Sequence, residues 1–205
     1  MDTWREQIKY SITTIKDLCQ YITLSETEKF GLPVISFEKV EKEYNPVKHK
    51  MLIAMGYHKM NQIREKKCAE AKKKGYELIS YIHSMADVST DAEIGENVII
   101  LNNATIGPFC KIGNNVCIYN NATVSHHVNI EDNVWITSGT VIGGNTEVGK
   151  NCFIGCNSNL IAPLLIGNNC RSSCFMVYSV PKIFIFIRRK STLWTNNHSE
   201  VACEF

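Results

Sequence analysis

Two consecutive histidines, His126 and His127, have the side chains in this chain that are best suited to acid–base chemistry. An imidazole exchanges a proton near neutral pH, so it can act as a general base toward an amine or a hydroxyl group. Eighteen residues after His126 comes Gly144, and eighteen further on comes Ala162. If residues eighteen apart are neighbours in space, the imidazole borders a slot where a long, thin substrate can approach the backbone. The amide of Gly144 would then be free to donate to a developing oxyanion.

An internal repeat supplies that spacing. An aliphatic residue occupies every sixth position from Val88 to Ile166, fourteen times in all, and glycine follows it in seven cases. A helix needs apolar residues every three or four positions and a half-exposed strand needs alternation, so neither explains a period of six. Three hexads instead predict one triangular coil of three short parallel strands, with successive coils stacked about 4.8 Å apart. Residues eighteen apart are therefore expected to stack.

The third residue after each aliphatic one, here called the corner position, is most often asparagine. Nine corner positions hold it, at 97, 103, 115, 121, 133, 145, 151, 157 and 169. Asparagine tolerates the left-handed backbone that a tight corner needs, and histidine also accepts it. His127 is at a corner position, so backbone geometry accounts for it. His126 is at the second position after the aliphatic residue, where solvent-type residues such as Asn114 and Asp132 recur, so His126 is the candidate catalytic residue.

Composition excludes several classes of function. A formal charge of +2 from 22 basic and 20 acidic residues does not indicate nucleic acid as a partner. The longest apolar clusters are too short to cross a bilayer, so we expect no membrane insertion. Nine cysteines, an odd number without zinc-site spacing, behind a charged amino terminus indicate reduced thiols, a cytoplasmic location and no metal. Cys110, Cys152 and Cys170 occupy repeat positions that favour a small apolar group.

The chain divides into three parts. Residues 1–86 predict a small, partly Rossmann-like α/β domain, with helices at 4–22 and 59–74 and strands at 32–36, 50–55 and 77–82. Gly56 and Tyr57 lie at the carboxyl end of a strand, where such sheets bind nucleotides. Residues 87–170 form the coil. Residues 171–205, where the period of six fails, predict a cap with a final strand around Phe184 and Phe186.

Three segments resemble the sialic acid O-acetyltransferase-like family of hexapeptide-repeat sugar acyltransferases. They are residues 122–136 (ATVSHHVNIEDNVWI), the pair Gly143-Gly144, and Gly56-Tyr57 with Asn61 and Arg64. This family includes N-acetyltransferases that act on nucleotide-linked 4-amino-6-deoxysugars. The resemblance implies a left-handed parallel β-helix with a small N-terminal α/β domain, a homotrimer, and acetyl-coenzyme A bound between neighbouring coils. It implies N-acetylation of a nucleotide-linked amino sugar for a surface glycan such as lipopolysaccharide or capsule.

The resemblance also implies a role for each candidate residue. His126 would be the general base, with Gly144 donating its amide. Coenzyme contacts would come from Gly143, Gly144, Ile161, Ala162, Arg188 and Lys190. Contacts to the nucleotide-linked sugar would come from Gly56, Tyr57, Asn61, Arg64 and His127.

Three alternatives remain open at this stage. The acceptor could be a hydroxyl group of a free, sialic-acid-like sugar, which a comparison of amino and hydroxyl acceptors would reveal. A γ-type carbonic anhydrase shares the coil but needs three histidines around a metal, and the repeat holds only the adjacent pair at 126 and 127. A catalytically inactive scaffold would show no turnover with any acyl-coenzyme A.

Overall fold

The fold is described from a computed structural model of the chain. It describes residues 35–161 and 163–172 in full and, beyond these, only the strands at 11–12, 28–29, 32–33, 176–180 and 183–187. Two helices are present in this part of the chain, α1 (Val40–Glu43) and α2 (Gln62–Lys73). No helix within these residues combines the length and the apolar character that a membrane span requires.

Most of the described chain is a parallel β-helix with three flat faces, each built from strands of two or three residues. Face 1 contains β5 (Tyr81–Ile82), β8 (Ile99–Ile100), β11 (Cys117–Ile118), β14 (Trp135–Ile136) and β17 (Phe153–Ile154). Face 2 contains β6 (Asp87–Val88), β9 (Thr105–Ile106), β12 (Thr123–Val124), β15 (Val141–Ile142) and β18 (Asn159–Ile161). Face 3 contains β7 (Glu93–Ile94), β10 (Lys111–Ile112), β13 (Asn129–Ile130), β16 (Glu147–Val148) and β19 (Leu165–Ile166).

In the regular part of the coil, each strand residue lies opposite the residue eighteen positions later. Ile118 lies opposite Ile136 on face 1, and Asn129 lies opposite Glu147 on face 3. In each strand the aliphatic residue points inward and its neighbour points outward, so Ile118 and Ile136 have no solvent exposure. Side chains of this type gain about 2 kcal/mol each in gross free energy when they leave water. The predicted period and the predicted stacking are both confirmed.

The corners have the backbone that the sequence predicts. Eleven corner positions in the described residues hold a non-glycine residue with φ between 53° and 62°, and Gly139 has φ of 68°. Nine of the eleven are the predicted asparagines, and the other two are Phe109 and His127. Asparagine suits these positions because its short polar side chain lowers the cost of left-handed backbone. The predicted thiols also fit, since Cys110 and Cys152 are fully buried inside the coil.

The N-terminal unit is a small parallel α/β arrangement with its own core. β1 (Ser11–Ile12) pairs in parallel with β4 (Lys50–Met51), and Met51 forms a parallel bridge with Leu78. The helix α2 follows β4, as predicted, and β2 (Glu28–Lys29) and β3 (Leu32–Pro33) form an antiparallel pair. Residues such as Val40 and Ala71 fill a core separate from that of the coil.

Two predictions for this unit are wrong. Residues 11–12 form a strand inside the segment 4–22 predicted as a helix. The reason is the β-branched run at 12–15, which favours an extended backbone. Residues 81–82, predicted to end a strand of the small sheet, instead form the first rung of face 1. The coil therefore begins before residue 87.

A buried arginine attaches the N-terminal unit to the coil. Arg64, on α2, has no solvent exposure. Its guanidinium donates to the carbonyls of Asn97 and Asn115 at 3.0 and 2.9 Å, and to that of Ile53 at 3.1 Å. Asn61 donates to the carbonyl of Asn133, one coil further on. The unit therefore binds a column of corner residues on three successive coils, at the edge between faces 3 and 1.

The regular coil ends where the period of six fails. β18 pairs with β20 (Met176–Val180), but Asn159 lies opposite Met176, only seventeen residues later. β21 (Ile183–Ile187) then runs antiparallel to β20, which confirms the predicted final strand. Arg188 and Lys190 lie outside the described residues.

We expect Arg64→Ala to lower the free energy of unfolding by about 2–5 kcal/mol, because the buried carbonyls of Asn97 and Asn115 lose their hydrogen-bond donor. Urea denaturation followed by circular dichroism measures the change. Lys66→Ala, at an exposed position of the same helix, is the control and should change the value by less than about 0.5 kcal/mol. Equal effects of the two substitutions would show that Arg64 does not secure the unit.

Candidate functional site

His126 lies directly against the backbone of Gly144. Both residues follow face 2 strands, β12 and β15, at the corner where the chain turns toward face 3. A Cβ atom built on Gly144 would lie 2.6 Å from Cε1 and 2.7 Å from Nε2 of His126. The amide of Asn145 also donates to the carbonyl of His126, at 3.1 Å. The predicted stacking of residues 126 and 144 is confirmed, and it requires a residue without a side chain at position 144.

Backbone amides at this corner lack the side-chain acceptors present at another corner. At the edge between faces 3 and 1, the amides of Glu96, Asn114 and Lys150 donate to side-chain oxygens of the residues eighteen positions later, at 2.7 to 3.0 Å. The residue eighteen positions after His126 is Gly144, which has no side chain to supply such an oxygen. Among the described residues, neither the amide of His126 nor that of Gly144 has an acceptor. Such amides can bind an oxyanion.

The side chain of His127 contacts both His126 and Phe109. Its Nδ1 lies 3.1 Å from Nδ1 of His126, and its ring centroid lies 5.0 Å from that of Phe109. Phe109 is 56% exposed and has φ of 59°, an unusual backbone for a bulky residue. Sequence reasoning did not identify Phe109, although the signal was an aromatic residue at a corner position that usually holds asparagine.

The predicted coenzyme contacts fall into two groups. Gly143 adjoins Gly144 and donates its amide to the carbonyl of Leu160, while Ile161 lies one coil above Gly143 and is 42% exposed. Ala162, Arg188 and Lys190 are outside the described residues. The structure therefore brings His126, Gly143, Gly144 and Ile161 to one edge of the coil.

The predicted sugar contacts lie at a different edge, apart from His127. Tyr57 is 44% exposed and its ring packs against those of Phe153 and Trp135, at 4.5 and 5.6 Å between centroids. Gly56 precedes it. Asn61 and Arg64 are buried, and their side chains bind coil carbonyls, so in this structure they hold the N-terminal unit in place.

The turn that leads from Tyr57 into α2 has an unusual backbone. Lys59, Met60 and Asn61 have φ of 50°, 52° and 64°, and successive left-handed residues of these types cost free energy. Such strain often marks a binding site, because the surrounding structure must be arranged to hold it.

The thiol of Cys110 donates to the carbonyl of Ser125, the residue that precedes the histidine pair, at 2.8 Å. Burial raises the pKa of Cys110, so this sulfur remains a neutral thiol at neutral pH. In the described part of the chain, no three His, Cys, Asp or Glu side chains are grouped so that they could hold a metal ion.

The coil carries the repeats of a known family. Residues 91–126 and 127–162 match the model of the bacterial transferase hexapeptide (six repeats). This part of the chain therefore has the hexapeptide repeats that the model describes, in the form of a parallel β-helix. A comparison with the curated proteins finds no significant match.

Several solved structures have a similar fold. The acetyltransferase domain of PglB from Neisseria gonorrhoeae FA1090 is 24% identical, with a TM-score of 0.60 over 76% of this chain and 80% of that one, and it is also known in complex with acetyl coenzyme A. A histidine-to-asparagine mutant of perosamine N-acetyltransferase from Caulobacter crescentus, in complex with CoA and GDP-perosamine, is 19% identical, with a TM-score of 0.59 over 78% and 82%. WeeI from Acinetobacter baumannii AYE is 20% identical, with a TM-score of 0.53 over 79% and 82%. At these identities the likeness establishes the fold.

We expect Gly144→Ala to displace the imidazole of His126, because the new methyl group would overlap the ring. The side chain of His126 is exposed and can rotate away, so the free energy of unfolding should change by less than about 1 kcal/mol. A crystal structure of the variant, or the histidine ring signals in an NMR spectrum, tests this. Gly167→Ala is the matched control, since no atom lies within 4 Å of its added methyl group. An unmoved His126 ring in Gly144→Ala would contradict the site geometry.

Proposed function

We propose that this protein transfers the acetyl group of acetyl-coenzyme A to the amino group of a nucleotide-linked amino-deoxysugar, with His126 as the general base. The observation that supports this most directly is the corner at residues 126 and 144. An exposed imidazole there borders a backbone without side chains, and two amides beside it have no acceptor among the described residues. A pantetheine arm needs a narrow groove of this kind, and a thioester carbonyl needs such amide donors when it becomes an oxyanion.

The chemistry assigned to this corner is acyl transfer. The amine nitrogen of the sugar attacks the thioester carbonyl, and Nε2 of His126 accepts the proton that the nitrogen loses. The Gly144 amide stabilises the oxygen as it gains negative charge. When the carbon–sulfur bond breaks, the coenzyme sulfur takes up the proton from His126, which returns the imidazole to its starting state.

The proteins of similar fold support the choice of substrates. A PglB acetyltransferase domain binds acetyl coenzyme A, and a histidine mutant of perosamine N-acetyltransferase binds CoA together with GDP-perosamine. By this analogy, Gly143, Ile161, Ala162, Arg188 and Lys190 contact the coenzyme and Gly56, Tyr57 and His127 contact the nucleotide-linked sugar. Asn61 and Arg64 hold the N-terminal unit, which carries Gly56 and Tyr57, against the coil. The product would serve the synthesis of a surface glycan in the cytoplasm, where acetyl-coenzyme A is available.

The separation of the two sets of residues supports an assembly of several copies of this chain, which we propose to be a homotrimer. Within one protomer, Tyr57 lies on face 1, whereas His126 lies at the edge between faces 2 and 3. A nucleotide-linked sugar held at Tyr57 could reach an imidazole more directly on a second copy of the chain packed beside the first. Closed cyclic symmetry is the usual form of such assemblies.

We expect His126→Ala to reduce the turnover of acetyl-coenzyme A with an amino-sugar nucleotide by about 100-fold or more, which is the usual contribution of a general base. The release of free coenzyme thiol measures the rate. His83→Ala, which removes a histidine from another corner of the coil, is the control and should retain turnover. Unchanged turnover in His126→Ala would refute the catalytic assignment, and absent turnover in the wild type with every acyl-coenzyme A would favour a scaffold.

We expect one sugar in a panel of UDP-, GDP- and dTDP-linked amino sugars to raise the midpoint of thermal unfolding, because a ligand that binds only the folded state stabilises it. Tyr57→Ala should abolish the shift, since it removes the exposed ring at the predicted site. Tyr119→Phe, which keeps a ring on the same face, should retain it. Stabilisation by a free sugar and by none of the nucleotides would instead favour O-acetylation of a sialic-acid-like acceptor.

A further inference from the structure

The side chains of His126 and His127 share one hydrogen bond between their Nδ1 atoms. Which of the two nitrogens carries the hydrogen decides what His126 can do. The two Nδ1 atoms lie 3.1 Å apart, which is a hydrogen-bond distance for two ring nitrogens. Two neutral imidazoles can make this bond only if one Nδ1 carries the hydrogen and the other presents a lone pair. If His127 is the donor, Nδ1 of His126 is the acceptor, and the one N–H hydrogen of neutral His126 is on Nε2. In that case Nε2 cannot accept a proton. If His126 is the donor, its Nε2 is unprotonated.

The edge of the His126 ring that carries Cε1 and both nitrogens lies against Gly144, at 2.6 to 3.1 Å from the position that a Cβ atom would take there. Nδ1 is already engaged with His127, so Nε2 is the nitrogen left to meet a substrate. A base that removes a proton from a substrate at this corner must therefore act through Nε2, and only the arrangement in which His126 donates from Nδ1 permits that.

The corner itself does not require an imidazole at position 127. Asparagine or glycine fills the equivalent place in most coils, with φ of 62° at Asn133 and 68° at Gly139. The ring of His127 is also held in position, since it packs on the exposed ring of Phe109. A strained, exposed phenylalanine beneath the histidine has no role in the core of the coil, so its contact with His127 is the role that the geometry offers.

We propose that His127 is a positioning residue whose Nδ1 accepts the hydrogen from Nδ1 of His126, leaving Nε2 of His126 free to act as the base. This inference rests on the proposed function. As His126 gains a proton on Nε2, its Nδ1–H keeps donating to His127, and the bond becomes stronger because the donor is now charged. No proton leaves the pair through His127.

The partner of His126 is thus neutral, so a proton on either ring stops the reaction. A protonated His127 would donate from Nδ1 to His126 and move the hydrogen of His126 to Nε2. The corner below the pair contributes Cys110, a neutral thiol, and the corner above contributes Gly144 and Asn145, which do not titrate. Lys111 and Glu147, opposite Asn129 on face 3, are the charged side chains on adjacent strands.

Three substitutions at position 127 distinguish the effect of losing the hydrogen bond from the effect of changing the backbone at the corner. His127→Gly keeps a residue that the corner accepts but removes the acceptor, and kcat should fall about tenfold to a hundredfold with KM for acetyl-coenzyme A changed by less than about twofold. In His127→Asn the side-chain oxygen takes the place of Nδ1 and should restore most of the rate. In His127→Asp a carboxylate oxygen takes the place of Nδ1 as the acceptor, so the rate should also recover. Asn121→Gly makes the same backbone change at another corner and should leave kcat unaltered.

The tautomer of His126 provides a test that does not depend on turnover. Long-range proton–nitrogen NMR correlations on histidine-labelled protein should place the hydrogen of His126 on Nδ1 in the wild type. In His127→Gly they should show a mixture of the two neutral tautomers, with the hydrogen on Nδ1 in some molecules and on Nε2 in others. Wild-type His126 with its hydrogen on Nε2, or His127→Gly with an unchanged kcat, would overturn the positioning role even if acetyl transfer is established. Failure of the proposed function alone would appear as absent turnover in the wild type with every acyl-coenzyme A, or as full turnover in His126→Ala, with the Nδ1 tautomer still present in the wild type.

Discussion

Everything at the candidate site depends on the register of the coil, in which each residue stacks on the one eighteen positions later. A two-residue strand has no freedom to bury another residue, because a shift by one would turn Ile118 or Ile136 to the solvent and expose the whole aliphatic column. The ladder therefore fixes side chains outside the core as firmly as those inside it. His126 lies over Gly144 because of this register, and the two need no contact of their own to hold them together.

The same register makes departures from the repeat informative. Asparagine at a corner serves the backbone, so a different residue there requires another explanation. Phe109 costs backbone strain on an exposed surface, and His127 directly above it holds an imidazole where asparagine suffices elsewhere. His127 contacts His126, and Phe109 contacts His127. A solenoid with regular corners concentrates its irregular residues where its surface is used, and here they occupy one edge.

Sequence reasoning predicted the coil closely because one local rule determines it. The aliphatic period, the corner residues and the stacking of His126 on Gly144 all follow from counting by six and by eighteen. The N-terminal unit was predicted less well because no repeat constrains it. The segment around Ser11–Ile12 pairs with Lys50–Met51, a partner distant in sequence that no local pattern identifies. The contact between His126 and His127 depends on side-chain rotamers, which residue types alone do not specify.

Arg64 shows how a residue predicted to contact substrate can support the site from a distance. Its guanidinium is buried, and in the described residues no carboxylate pairs with it. Burial raises the pKa of the neighbouring Cys117 to about 11, so that thiol does not supply a negative charge either. The positive charge is instead solvated by the carbonyls of Asn97, Asn115 and Ile53. Because those carbonyls belong to two rungs of the coil and to the N-terminal unit, one side chain fixes both parts relative to each other. The position of Tyr57 on face 1 follows from that attachment, and so does its separation from His126 within a single chain.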